Sequence, residues 1–165
     1  MVLMAGCGSS ASPAENQGPI GHRKAVKGPE VCTLVPAEQL ARQLNVSKIE
    51  KRDGPLERMG SCSWVIPIDG AADPQLSLHG EARLGFGKSD TVGGVRARRQ
   101  YESHVNACTV SVALSGTTDP AAGDDKSSDP AISVRYSGPT DASETEVCKA
   151  ADAVAETYLR ALPMA

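Results

Sequence analysis

Apolar and polar residues alternate along the middle of the chain in a way that predicts β-strands. The alternation is regular over residues 109–115 and 132–136, and this is the period of a strand with one buried face. Residues 62–66 and 75–86 show a similar pattern, with an interruption at Gly80 in the second stretch. Together these segments predict an antiparallel sheet with one face against a core.

Four other stretches carry weaker signals. Residues 95–101 are compatible with a strand but are mostly polar, and glycine and proline in residues 49–61 indicate a loop or a weak edge segment. Residues 88–94 predict a turn. Residues 116–130 are so rich in turn-forming residues that we expect a mobile hairpin connection there.

Two segments have the spacing of helices. Ser143 and Glu146 form a capping-box pattern, and apolar residues follow at helical spacing until a proline ends the segment. These apolar residues are Val147, Ala151, Val154, Ala155, Tyr158, Leu159 and Leu162. Earlier, Pro36 at a first helical position predicts a short helix that buries Leu40 and Leu44. The predicted fold is α+β: an antiparallel β-sheet packed by a short N-terminal helix and a C-terminal amphipathic helix.

Composition limits both the core and the class of partner. The chain has 165 residues, which fits one domain, and only five of them are aromatic. The core must therefore consist largely of Val, Leu, Ile and Ala, which bury less area per residue than aromatic rings do. The net charge of −3 argues against nucleic acid as a partner, because sequence-independent binding to phosphates needs a basic surface.

The cysteines are too widely spaced for the paired motifs of zinc or redox sites. Four of them, Cys32, Cys62, Cys108 and Cys148, are interpreted as two disulfides, which implies an oxidising, extracytoplasmic compartment. Four cysteines allow three pairings. We prefer Cys32 with Cys62 and Cys108 with Cys148, because each bond then ties a helix or its start to a neighbouring strand.

The fifth cysteine, Cys7, follows Leu-Met-Ala-Gly, which resembles the bacterial lipobox, where the cysteine is diacylated and becomes the new N-terminus. The six residues before it are too short for a signal peptide, so we expect the natural start to lie upstream. Residues 1–30 are interpreted as this truncated signal and lipobox remnant followed by a flexible tether over 8–30. A single globular domain over 31–165 would then be held at the membrane, outside the cytoplasm, through a lipid on Cys7.

The domain also contains five segments in a defined order: VCTLVPAEQLARQL, CSW, VGGVRARRQY, CTVSVAL and CKAADAVAETYLRALP. Their order and spacing resemble the actinobacterial lipoprotein family known as domain of unknown function 3558. The resemblance covers residues 31–163 and implies a cell-envelope location and the disulfide pairing preferred above. The resemblance offers no activity and no catalytic residues that could be carried over to this chain. Val35 departs from it, since a capping Thr or Ser often precedes the helix proline in the family.

Candidate catalytic and metal-binding residues are few. The histidines are His22, His79 and His104, and the chain has no GxSxG nucleophile motif. Four acidic residues crowd one loop without the spacing of an EF-hand, namely Asp119, Asp124, Asp125 and Asp129. The sequence therefore predicts no catalytic residue, no metal site and no cofactor.

Three residues are candidates for ligand contact: Trp64, Arg96 and Arg98. Trp64 is interpreted as a core residue, with stacking against a sugar as the alternative. The two arginines share one face of a strand by its period of two. They are interpreted as an exposed charged face that discourages edge pairing, with contact to an anionic glycan or lipid headgroup as the alternative.

Three functional hypotheses follow. The leading one is a non-enzymatic envelope protein that binds a small ligand, a wall component or another protein. The second is an envelope hydrolase acting on wall or lipid substrates, which requires a pocket that joins His79 or His104 to a serine or carboxylate. The third is a structural or sensory partner module, which requires an exposed patch instead of a deep pocket.

Overall fold

An antiparallel sheet with helices packed on one face forms the domain. The computed structural model describes residues 20–114 and 128–165. The strands of this part are β1 Glu50–Arg52, β2 Ser61–Val65, β3 Leu76–Arg83, β4 Lys88–Val92, β5 Val95–Glu102, β6 Ala107–Ala113 and β7 Pro130–Ser137. Its helices are α1 Ala37–Gln43 and α2 Glu144–Ala161, with short 3-10 helices at Gly28–Thr33, Pro55–Met59 and Ser103–Val105. The strand order is β1-β2-β3-β7-β6-β5-β4 with antiparallel neighbours, which confirms the predicted α+β class.

Helix α2 starts at the predicted capping box. The Ser143 hydroxyl accepts a hydrogen bond from the Glu146 backbone N–H at 3.2 Å, and the Glu146 carboxylate accepts one from the Ser143 N–H at 2.7 Å. Each bond satisfies a donor that has no partner within the helix. The Ser143 backbone N–H and, at 2.9 Å, the Ser143 hydroxyl both donate to the Glu146 carboxylate, and these two hydrogen bonds lower the pKa of Glu146 because they favour its ionised form.

The core lies between α2 and the face of the sheet against which it packs. Alternate strand residues point to this helix face, among them Trp64, Leu76, Leu78, Val110, Val112, Ile132 and Val134, each at most 1% exposed. From α2, the buried side chains include Val154, Ala155, Tyr158 and Leu159. We call the opposite side of the sheet the open face.

Both disulfides form with the predicted pairing. Cys32, in the first 3-10 helix, is bonded to Cys62 of β2, and the two Cα atoms are 5.5 Å apart. Cys108 of β6 is bonded to Cys148 of α2, with a Cα separation of 5.1 Å. These separations lie within the range that a disulfide requires. One bond therefore holds the N-terminal segment to the sheet, and the other holds α2 to it.

A short connection shows that the sheet is strongly coiled. Strands β3 and β4 run parallel with three strands between them, yet only residues 84–87 join them. In a flat sheet β4 would lie about 19 Å from β3. The five backbone steps from Arg83 to Lys88 span at most about 18 Å. Because the two strands are parallel, the connection must also run back along the length of the sheet. Accumulated twist must therefore bring β4 and β5 over the open face. A second small cluster is buried there, consisting of Leu84, Ala113 and Ala131 with Val95 against it.

Two predictions about chain segments need correction. Residues 88–94 form an edge strand and a two-glycine turn, not a turn throughout, and only Val92 of β4 is buried, so the pattern was weak. Residues 20–30 are part of the folded domain, not a tether. Ile20 is 1% exposed, and the Arg23 N–H donates to the Leu114 carbonyl at 2.8 Å. These contacts are with distant parts of the chain, which local composition does not reveal.

Other predictions are confirmed, or concern residues outside the described part of the chain. The interruption at Gly80 is a shift of register between His79 and Ala82, and residues 49–61 contain the short edge strand β1. The predictions for Cys7, for residues 8–19 and for most of the 116–130 connection lie outside the described residues. Within the part of the chain that the structure describes, no helix has the length and apolar character needed to cross a membrane.

Candidate ligand-binding cleft

Polar side chains cross the open face in a row. Because the strands pair in register, residues directly opposite one another lie on the same face. From β2 to β4 the row consists of Ser61, His79, Ser133, Ser111, Arg98 and Ser89. A hydrogen bond of 3.1 Å joins the hydroxyls of Ser111 and Ser133. Along this row the open face presents hydrogen-bonding groups instead of apolar side chains.

A cleft of about 340 Å³ lies at one end of the row, between the sheet and the 3-10 helix Pro55–Met59. Alternate residues of β2 and β3 form its floor, namely Ser61, Ser63, Ser77 and His79. Its walls include Arg52, Gly54, Pro55, Leu56, Glu57 and Pro74. The volume is at the lower end of the range for small-molecule sites.

The charged side chains around the cleft are paired with one another. The Arg52 guanidinium donates to both carboxylate oxygens of Asp73, at 2.9 and 3.1 Å. Lys51 donates to the Glu57 carboxylate, and this hydrogen bond raises the pKa of the Lys51 ammonium group. Arg52 and Glu57 are therefore both engaged, and the cleft floor presents hydroxyl groups and an imidazole.

His79 is an exposed residue of the floor. Ser61 lies opposite it on β2 and Ser133 opposite it on β7, and opposed Cβ atoms in a sheet are about 5 Å apart. Among the described residues its ring makes no hydrogen bond and contacts no orienting carboxylate. The arrangement places a histidine beside hydroxyl groups without the coupled bonds of a catalytic triad.

Trp64 is a core residue and does not line the cleft. It is 1% exposed on the helix face, and its ring centre lies 6.3 Å from that of Tyr158 at an angle of 51°. An indole enclosed in this way offers no face to a sugar. Burial also raises the pKa of the Tyr158 phenol far above its usual value.

Arg96 and Arg98 share the open face, as the alternation predicted, but they are not exposed. Their exposed fractions are 2% and 9%, and neither residue lines the cleft. Arg96 is paired with Asp129, and Arg98 donates to the Ser89 hydroxyl. The prediction of an exposed charged strand is wrong, because β4 and not β5 is the edge strand and because the coiled sheet covers this region.

The histidines are not brought together. His104 lines a separate pocket of about 230 Å³ beside Asn106 and Thr140, while His22 lies in the N-terminal segment. In residues 20–114 and 128–165, no group of three or more His, Cys, Asp or Glu side chains has the arrangement of a metal site. Of the crowded acidic residues only Asp129 is described.

Sequence reasoning missed the serines of the cleft floor, although a signal was present. Ser61 and Ser63 alternate with Cys62 and Trp64, so the hydroxyls had to face away from the core. The register that places Ser61 opposite His79 and the position of the 3-10 helix beside them depend on long-range contacts. Those contacts are not visible in a local pattern.

No protein-family model matches the chain, and comparison with curated proteins and with solved structures gives no significant match. The cleft is therefore interpreted from its own residues. The resemblance to domain of unknown function 3558 stays an expectation from the sequence.

Proposed function

We propose that this chain is an exported, lipid-anchored envelope protein whose domain binds a small ligand in the open-face cleft without converting it. The composition of the cleft carries this proposal: three hydroxyls and an imidazole on a sheet floor, beside the apolar Leu56 and Pro74. Binding sites combine apolar walls with a few placed polar groups. Groups on strands hold these positions better than groups on loops.

Three observations support the proposed location. Two disulfides in a domain of this size favour an oxidising compartment outside the cytoplasm. The lipobox-like residues before Cys7 favour a lipid anchor. The resemblance to an actinobacterial lipoprotein family favours the cell envelope. The membrane is thus the proposed partner at one end of the chain, and an envelope ligand is the proposed partner of the domain.

The lining favours an uncharged ligand that carries hydroxyl groups, such as one sugar residue of a wall glycan. Serine hydroxyls both donate and accept hydrogen bonds, as sugar hydroxyls do. Arg52, the one arginine of the described lining, is held by Asp73, so an anionic group has no free guanidinium to bind.

A hydrolase is the second candidate, because His79 lies opposite Ser61 in the cleft. Nucleophilic catalysis requires a hydrogen bond between nucleophile and base, and a third group that orients the base. Glu57 is the carboxylate in the cleft lining, and it is bound to Lys51. Binding is therefore the better supported function.

Replacing Ser63 and Ser77 together by valine is expected to weaken binding of neutral wall-glycan oligosaccharides roughly tenfold to thirtyfold. The change removes two hydroxyls at about 1 kcal/mol each, while valine suits a strand. The measurement is a titration followed by amide chemical shifts. Ser111→Val, on the same face outside the cleft, is the matched control and should bind like the native chain. Absence of saturable shifts at the cleft residues of the native chain would overturn the proposal.

A fluorophosphonate probe separates the two candidates, because it reacts with activated serines. No labelling of Ser61 is expected for a binding protein. Labelling of Ser61 that disappears in His79→Ala would support the hydrolase instead.

A further inference from the structure

Phe86 is presented to solvent by a turn that requires glycine on both sides. It is the only phenylalanine in the chain and is 77% exposed, more than any other large apolar residue that the structure describes. Gly85 has φ +68° and Gly87 has φ +131°, conformations that L side chains rarely adopt. A Cβ at Gly87 would lie 2.6 Å from the Arg99 carbonyl oxygen. The backbone therefore fixes an aromatic ring outside the core.

Basic side chains lie around this turn. Arg83 and Lys88 flank it in the chain, and both are exposed. Arg83 also lines a groove of about 360 Å³ together with Lys27. Glu81 is the one carboxylate among the described residues of that groove. Phe86 thus lies between two exposed basic residues of the chain.

The N-terminal segment, residues 20–30, runs beside this groove. Residues 25 and 27 line the groove, and the Arg23 N–H donates to the carbonyl of Leu114, which lines the groove as well. Lys24 is exposed in this segment. The thirteen backbone steps from Cys7 to Ile20 span at most about 45 Å even when fully extended. A lipid on Cys7 would hold Ile20 within that distance of the bilayer.

We propose that this basic end, consisting of Phe86, Arg83, Lys88, Lys24 and Lys27, rests on an anionic lipid surface. Phe86 enters the boundary between headgroups and acyl chains, and the basic side chains lie among the anionic headgroups. A stable protein interface needs a broad complementary surface, whereas one aromatic ring among spaced cations matches a lipid surface. The proposal goes beyond the cleft and rests on the proposed function only for the nearness of the membrane.

Flotation of the unlipidated full chain with vesicles tests this inference. We expect the chain to bind vesicles of equal parts phosphatidylglycerol and phosphatidylcholine, and to bind pure phosphatidylcholine much less. Raising the salt concentration should release it, because headgroup attraction is screened. Phe86→Ser should reduce binding roughly tenfold or more. Leu56→Ser, which removes an exposed leucine from the cleft, is the matched control and should leave vesicle binding unchanged.

A second variant reports insertion directly. Phe86→Trp should show a blue-shifted emission on anionic vesicles, against a constant signal from Trp64, which is 1% exposed. Equal binding to neutral vesicles, no binding, or binding that does not depend on Phe86 would each overturn the inference. These measurements use neither a cleft ligand nor a lipid on Cys7, so their failure leaves the proposed function untouched. A failure of the cleft titration likewise leaves this inference untouched.

Discussion

The Cys108→Ala/Cys148→Ala protein is expected to have a free energy of unfolding about 4 kcal/mol below that of the native chain. The bond joins residues separated by 40 positions, and closing a loop of that length removes much entropy from the unfolded chain. The bond also holds α2 against β6 at buried positions. Domains of this kind are stable by about 5 to 15 kcal/mol in total, so the loss is a large fraction of the whole.

Guanidinium unfolding followed by circular dichroism measures this loss. The matched variant is Cys32→Ala/Cys62→Ala, which opens a loop of 30 residues and should lose about 3.5 kcal/mol. Reducing the native chain should lower its unfolding midpoint as well, because the thiols no longer constrain the unfolded state. An unchanged midpoint after reduction would show that the two bonds do not stabilise the folded protein.

Asp129→Ala is expected to cost about 3 kcal/mol, because it leaves the Arg96 guanidinium buried without its carboxylate. Arg96 is 2% exposed, and its Nε and Nη1 atoms have no hydrogen-bond partner among the described residues. Asp129 is therefore the group that compensates this charge. The measurement is again the unfolding midpoint in guanidinium.

Two variants show whether burial causes that loss. Asp73→Ala removes the carboxylate that binds the exposed Arg52, and exposed pairs contribute at most about 1 kcal/mol, so little should change. Arg96→Met with Asp129→Ala removes both charges and should recover most of the stability, since an apolar pair can replace a buried ion pair. If the double variant is no more stable than Asp129→Ala, a buried unpaired charge is not the cause.

The elements that the sequence predicted well are those with strong local signals. The capping box at Ser143 is followed by apolar residues that are all buried. The alternation in 109–115 and 132–136 predicted two strands, and the structure has β6 and β7 there, with buried residues at alternate positions. The cysteine pairing could be predicted because each bond joins a helix to a neighbouring strand.

The elements that were missed depend on contacts distant in sequence. Ile20 is a single apolar residue in a polar stretch, and its side chain is buried against Gly93, which is distant in sequence. Arg96 stands in a basic run whose composition is typical of a solvated face, but the coiled sheet encloses its side chain together with Asp129. The cleft has the same origin, because its serines and His79 meet only through strand register. Local patterns therefore predicted which residues face away from the core, but not what lies beside them.

Intact mass spectrometry of the protein from the envelope fraction of its host, before and after reduction, tests the central claim most directly. The claim of an exported, membrane-anchored domain predicts a diacylglyceryl group on Cys7 and a gain of two hydrogens for each of the two disulfides on reduction. The same protein should be depleted from the soluble fraction. A chain with an unmodified Cys7 and free thiols, recovered from the cytoplasm, would contradict the claim.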